Sequence, residues 1–120
     1  HNNQQQAFAN SIVAIDEGVD CVDATVHGMG RGAGNCPLEL LLFYLDNRRY
    51  DVRPVLELVE EFATRRDALR WGYHLPYAIT GYYNIHPRTG IERMAREDRY
   101  RVREMYESLN ARLDDASKVG

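Results

Sequence analysis

Apolar residues recur at helical spacing in four stretches of the chain and at a spacing of two in one. Phe8, Ile12 and Ile15 mark a first helix, which Gly18 closes as a C-terminal cap would. Leu38, Leu41, Leu42 and Leu45 fall at i, i+3, i+4 and i+7 and predict a second. Pro54 opens a third, with Val55, Leu58, Val59 and Phe62 on one face. Val102, Met105, Tyr106, Leu109 and Leu113 define the last, and residues 114–120 read as a frayed end. Residues 19–26 alternate instead: Val22, Ala24 and Val26 on one face, Cys21, Asp23 and Thr25 on the other. Period two with one apolar face predicts a strand covered by helices on one side.

Between the third and last helices runs an aromatic, proline-broken stretch, Trp71-Gly72-Tyr73-His74-Leu75-Pro76-Tyr77 and on to Gly81-Tyr82-Tyr83-Asn84-Ile85-His86-Pro87. Pro76 and Pro87 start or kink helices rather than sit inside them, so this stretch reads as short helical pieces. One strand against five or so helical segments is an unbalanced count. A strand needs neighbours for its backbone groups. The pattern therefore predicts the last βα units of a larger parallel α/β protein, predominantly helical as it stands. The start at His1, without a methionine and in a polar run, fits the same expectation.

The 120 residues suffice for one ordinary domain. A net charge of -3 argues against nucleic acid or acidic lipid as a partner. No apolar run reaches the ~20 residues of a membrane span, and no signal peptide is visible. Cys21 and Cys36 give no disulfide framework, which points to a reducing, cytoplasmic setting. The charges from Arg88 to Glu107 nearly cancel and predict a solvated helix face.

The densest chemical signal is residues 27–36, His-Gly-Met-Gly-Arg-Gly-Ala-Gly-Asn-Cys, followed by Pro37 at a helix start. A strand, a glycine loop and a helix N-terminus are a usual ligand cradle. Gly28, Gly30 and Ala33 match a dinucleotide fingerprint, with Asp51 near the ribose-ligand distance. That reading is weak. It needs a second parallel strand after the helix, and Asp46-Asn47-Arg48-Arg49-Tyr50-Asp51 leads into another helix instead.

A wider pattern covers the first 45 residues or so: His1-Asn2-Asn3, Ala9-Asn10-Ser11, Gly18-Val19-Asp20, Val22-Asp23-Ala24-Thr25, Gly28-Met29-Gly30, Gly32-Ala33-Gly34-Asn35 and Pro37-Leu38-Glu39. It resembles the closing part of the DRE-TIM metallolyases, and most of all their 4-hydroxy-2-oxovalerate aldolase branch. Gly72-Tyr73 and Tyr77 resemble a motif in that branch's C-terminal helices. The resemblance implies a (β/α)8 barrel with its chemistry at the C-terminal strand ends. Residues 1–48 would be the last βα units, with residues 19–26 as strand eight and 37–48 as the eighth helix. Residues 49–120 would be a helical extension. A barrel takes roughly 250 residues, so this chain cannot close one.

The same resemblance assigns the site. His1 would be the second histidine of a metal-binding H-x-H pair, whose rings point the same way from a strand and share one divalent ion. As an isolated terminal residue it would simply be disordered. Asn35 would match an asparagine that joins the metal shell in the acyl-CoA lyase branch; in the aldolase branch the resemblance points rather to a helix N-cap, and the two roles need not conflict. Tyr77 would match the tyrosine that handles the proton of the substrate's 4-hydroxyl, although an aromatic cluster is also ordinary helix packing. His27 reads as peripheral, and His74 and His86 as helix-end histidines. Asp23 and Thr25 would shape the barrel lumen. The acyl-CoA lyase branch carries a catalytic cysteine in the loop, which Met29, Arg31 and Ala33 do not supply.

The implied function is a class II aldolase that uses Mn²⁺ or Mg²⁺ to cleave a 4-hydroxy-2-oxoacid into pyruvate and an aldehyde, the fragment itself being inactive. The first alternative is an acetyl-CoA-dependent Claisen condensation of the isopropylmalate synthase type. The second is a non-catalytic helical interaction module. The implied partners are the small 2-oxoacid substrate, an acylating aldehyde dehydrogenase and further copies of the same chain.

Overall fold

A computed structural model of the chain describes the backbone of residues 1–118 and the side chains of residues 1–115. Six helices follow in order: α1 (Ala7–Asp16), α2 (Leu38–Leu45), α3 (Arg53–Ala68), α4 (Leu75–Tyr82), α5 (Arg88–Ala95) and α6 (Val102–Lys118). A single 3-10 turn, Val26–Gly28, lies between α1 and α2.

The helix boundaries follow local chemistry. Asn2 Oδ1 accepts from the Ala7 amide at 3.1 Å and satisfies an otherwise orphaned donor at the start of α1. Past its end, Gly18 adopts φ +82°. Pro54 and Pro76 occupy the first turns of α3 and α4, where no intrahelical donor is lost. The eighth-helix expectation for residues 37–48 is shortened: α2 stops at Leu45, because Asp46 turns left-handed at φ +41°. α6 remains helical through Lys118 rather than fraying from residue 114, and residues 119–120 lie outside the described residues.

The predicted strand at residues 19–26 does not form. Among the described residues there is no sheet, only an isolated parallel bridge between Thr25 and Pro37. The Thr25 amide donates to the Cys36 carbonyl at 3.0 Å, and its carbonyl accepts from the Leu38 amide at 2.9 Å. The glycine loop thus closes on itself, and residues 19–24 run without regular structure, with no neighbour to complete a ladder. The facial alternation holds even so: Val22 and Ala24 pack against buried Ala7, Cys36 and Leu41.

The chain builds three small apolar clusters. The first is that of Ala7, Cys36 and Leu41. The second joins Ala33, Tyr77 and Met94, with Ile91 alongside. In the third, Ile79 of α4 meets Met105 and Leu109 of α6. Much of the expected apolar surface stays uncovered. Leu41 alone is buried on α2, while Leu40, Phe43, Tyr44 and Leu45 are exposed, and α3 buries none of its residues. The Cα extents are 56 × 35 × 16 Å, little more than one helix diameter in the thin direction. The radius of gyration, 17.1 Å, exceeds the roughly 14 Å of a compact domain this long. No helix of the described residues is long and apolar enough to cross a membrane.

Candidate functional site

The glycine loop is held from both sides. The Asn2 amide donates to the Gly34 carbonyl at 2.9 Å, which fixes the His1 segment beside the loop. The Gly72 amide donates to the Gly32 carbonyl at 2.9 Å, which ties the loop to the aromatic stretch. Within the loop, the Asn35 amide donates to the Gly28 carbonyl at 3.0 Å. Gly34, at φ +82°, faces that same carbonyl so closely that a β-carbon would collide with it. Only glycine meets both demands there.

His1 and Asn35 come together. Both line a cleft of about 530 Å³ whose other polar walls include Asn10, Ser11, Asp23 and Thr25. Both also line a smaller cavity of about 280 Å³ with Asn3, Arg31 and Pro87. His1 is exposed at this junction. Asn35 is not the cap of α2, since Pro37 holds that position without a side-chain cap. Instead, Asn35 Nδ2 donates to the Met29 carbonyl at 3.1 Å. The Thr25 hydroxyl on the same cleft is buried without a hydrogen-bond partner.

Tyr77 lies elsewhere. It is 2% exposed, and its hydroxyl donates to the Arg70 carbonyl at 2.9 Å. Burial pushes its phenol pKa up, against the opposing influence of Arg70. It lines a separate cavity with Arg70, Trp71, Ile91 and Met94, and is not brought into the His1–Asn35 cleft. Its link to the site runs through the loop, where its ring packs under Gly32.

The remaining candidates settle as follows. His27 sits at φ +54°, its amide donating to Glu39 Oε2 at 2.9 Å and its Nδ1 3.7 Å from Glu39 Oε1. His86 Nδ1 accepts from the Arg88 amide at the start of α5, a helix-end role as expected. Asp51 pairs on the surface with Arg53 at 2.8 Å, and among the described residues no strand follows α2, so the dinucleotide fingerprint lacks its structural context. The supposedly solvated stretch after Arg88 contains a buried residue, Arg93, which donates to the Arg101 carbonyl and stands 3.5 Å from Asp98. Sequence reasoning missed it because the neighbouring charges disguise an inward position.

Among the described residues no group of three or more His, Cys, Asp or Glu side chains could hold a metal ion. His1 and Asn35 carry an imidazole nitrogen and a carboxamide oxygen, two donor types found in metal sites.

Residues 1–66 match the family described as HMGL-like. The chain belongs to this family. That membership places it among the DRE-TIM metallolyases, the grouping its sequence resembles. The HMGL-like chain is 43% identical over 68 residues to a 4-hydroxy-2-oxovalerate aldolase of Burkholderia thailandensis, covering 57% of this chain and 20% of that one. It is 42% identical over 69 residues to an oxaloacetate decarboxylase of Mycobacterium tuberculosis, covering 58% and 20%. A 4-hydroxy-2-oxovalerate aldolase of Geobacillus stearothermophilus is 33% identical over 112 residues, covering 82% and 32%. Among solved structures, the N-terminal domain of a protein from Bacteroides vulgatus described as an aldolase superposes with a TM-score of 0.69. That match has 36% identity and covers 87% of this chain and 36% of the other. The chain thus spans about a fifth to a third of the length of these curated relatives.

Proposed function

We propose that this chain is the C-terminal part of a metal-dependent lyase that breaks the C3–C4 bond of a 2-oxo acid and releases pyruvate, with a 4-hydroxy-2-oxoacid as substrate. The observation that carries the reading is the presence of His1 and Asn35 on one cleft beside the glycine loop. The names of two relatives support the bond. A 4-hydroxy-2-oxovalerate and an oxaloacetate both carry a 2-oxo acid whose C3–C4 cleavage leaves the same three-carbon fragment. On this reading residues 1–48 complete a (β/α)8 barrel and residues 49–120 form the helical extension.

His1, through its imidazole, and Asn35, through Oδ1, would hold Mn²⁺ or Mg²⁺ together with ligands from outside this chain. When bound, the cation supplies positive charge to the oxygen that becomes negative as the bond breaks. The loop, pinned at Gly34 and Gly32, ties the His1 segment to the aromatic stretch at Gly72. Tyr77 is assigned the proton of the 4-hydroxyl. Its packing against Gly32 supports a place next to the loop. An acylating aldehyde dehydrogenase that consumes the aldehyde, and self-association into a homo-oligomer, belong to the same reading. The uncovered faces of α2 and α3 offer surface for such contacts.

The decarboxylase relative favours a second reading, in which CO₂ rather than an aldehyde leaves from C4. Assaying the full-length protein with oxaloacetate beside 4-hydroxy-2-oxopentanoate separates them. The metal assignment is tested by replacing His1 with Ala in the full-length protein and measuring Mn²⁺ affinity by calorimetry. Loss of binding supports it; unchanged affinity removes His1 from the shell.

A further inference from the structure

His1 belongs to more than one cavity, and the walls it shares differ in charge. The cleft of about 530 Å³ carries the Asp23 carboxylate. A neighbouring one of about 370 Å³ is walled largely by neutral polar side chains, among them Asn3, Gln4, Thr80 and Asn84. The cavity of about 280 Å³ is different again. It brings the Arg31 guanidinium together with His1, Asn3 and Asn35, and neither Asp nor Glu lines it. Arg53, Arg96 and Arg103 each have a carboxylate within 2.8 Å. Arg31 is exposed and, among the described residues, enters no ion pair.

The backbone on both sides of Arg31 is held. Gly30 packs against the Asn35 carboxamide with no room for a β-carbon, and Asn35 Nδ2 donates to the Met29 carbonyl at 3.1 Å. Gly32, at φ +69°, accepts at its carbonyl from the Gly72 amide at 2.9 Å. Arg31 therefore springs from an anchored stretch of loop beside Asn35. A guanidinium without a counter-charge on a concave surface is a ready partner for an anion, and its planar fork matches the two oxygens of a carboxylate. A phosphate dianion would call for a further guanidinium or a lysine, and neither lines this cavity.

We propose that Arg31 binds a carboxylate of the substrate in the cavity it shares with His1, Asn3 and Asn35. The lyase reading enters only in naming that substrate a 2-oxo acid. Such an acid carries one carboxylate at C1, and a dicarboxylic one carries a second at its far end. Arg31 is a binding residue in either case. It stays protonated throughout and anchors the acid beside His1 and Asn35.

The test is calorimetric binding of 2-oxopentanoate and 2-oxopentanedioate to the full-length protein and its Arg31→Met variant. Neither acid has a 4-hydroxyl, so neither undergoes the aldol cleavage, and they differ only in the far carboxylate. Arg31→Met should weaken binding about tenfold to a hundredfold. An equal loss for both acids places Arg31 on the C1 carboxylate; a loss confined to the dioate places it on the far one. Arg31→Lys, which keeps the charge without the fork, should retain part of the affinity. No binding of either acid to the unaltered protein, unweakened binding in Arg31→Met, or a lysine variant no better than the methionine one overturns the proposal. Pyruvate release is read separately. Its absence beside Arg31-dependent binding sinks the lyase reading alone, and its presence beside an indifferent Arg31 sinks this proposal alone.

Discussion

The backbone of Gly32 packs on the ring of Tyr77: a β-carbon at Gly32 would stand 3.7 Å from both Cδ1 and Cε1 of the phenol. The glycine loop and helix α4, far apart in sequence, therefore share one contact surface. Gly90 of α5 presses on the same ring from another element, where a β-carbon would come within 2.9 Å of Cδ1. Tyr77 is thus clamped between a loop and a helix.

These glycines should respond differently to substitution. Gly32→Ala has space but keeps φ +69°, so it should cost about 1 kcal/mol from the left-handed backbone alone. Gly90→Ala has an ordinary helical backbone but meets Tyr77 and the Pro76 carbonyl, and should cost about 1–3 kcal/mol from overpacking. Gly34→Ala meets both penalties and should be the worst. Urea unfolding midpoints of the three variants in the full-length protein check the order.

Tyr77→Phe separates packing from chemistry. It removes one hydrogen bond to the Arg70 carbonyl and should lower stability by about 1 kcal/mol. If Tyr77 also handles the substrate proton, kcat/KM in the full-length protein should fall about 10²–10⁴-fold. An unchanged kcat/KM with the same small stability loss leaves Tyr77 as a packing residue.

Alkaline pH offers a further check on the same side chain. Burial raises the folded pKa of Tyr77 above its ordinary value near 10. Its contribution to stability should be complete below the unfolded pKa and be lost as pH rises through the higher folded one. The alkaline fall in melting temperature should be shallower in Tyr77→Phe. An identical alkaline limb in both proteins contradicts the burial of the phenol.

The helices were legible in the sequence because an amphipathic helix satisfies its own backbone; Phe8, Ile12 and Ile15, for example, lie on an observed helix. Residues 19–26 were not, because alternation reports which face is apolar but not whether a partner strand exists. Val22 and Ala24 turn inward, yet only Thr25 makes a bridge to another segment. Leu45 was read as a core position of α2 and is exposed, since periodicity selects a face without supplying its cover. In the site, the family resemblance pointed to His1 and Asn35, which line the same cleft. The clamp on Tyr77 arises from contacts between distant segments and leaves no local pattern.

The exposed apolar residues of α2 and α3 predict poor solution behaviour for residues 1–120 alone. Leu40, Phe43, Leu45 and Leu58 would seek another surface, so sedimentation should show concentration-dependent association, and no lyase activity should be detectable. A monodisperse, cooperatively unfolding monomer contradicts this.

The most direct measurement is pyruvate release from 4-hydroxy-2-oxopentanoate by the full-length protein, followed before and after removal of divalent metal. The account predicts release with Mn²⁺ or Mg²⁺, its loss on chelation and its recovery when metal is restored. Absence of any metal-dependent pyruvate release from 2-oxo acids contradicts it.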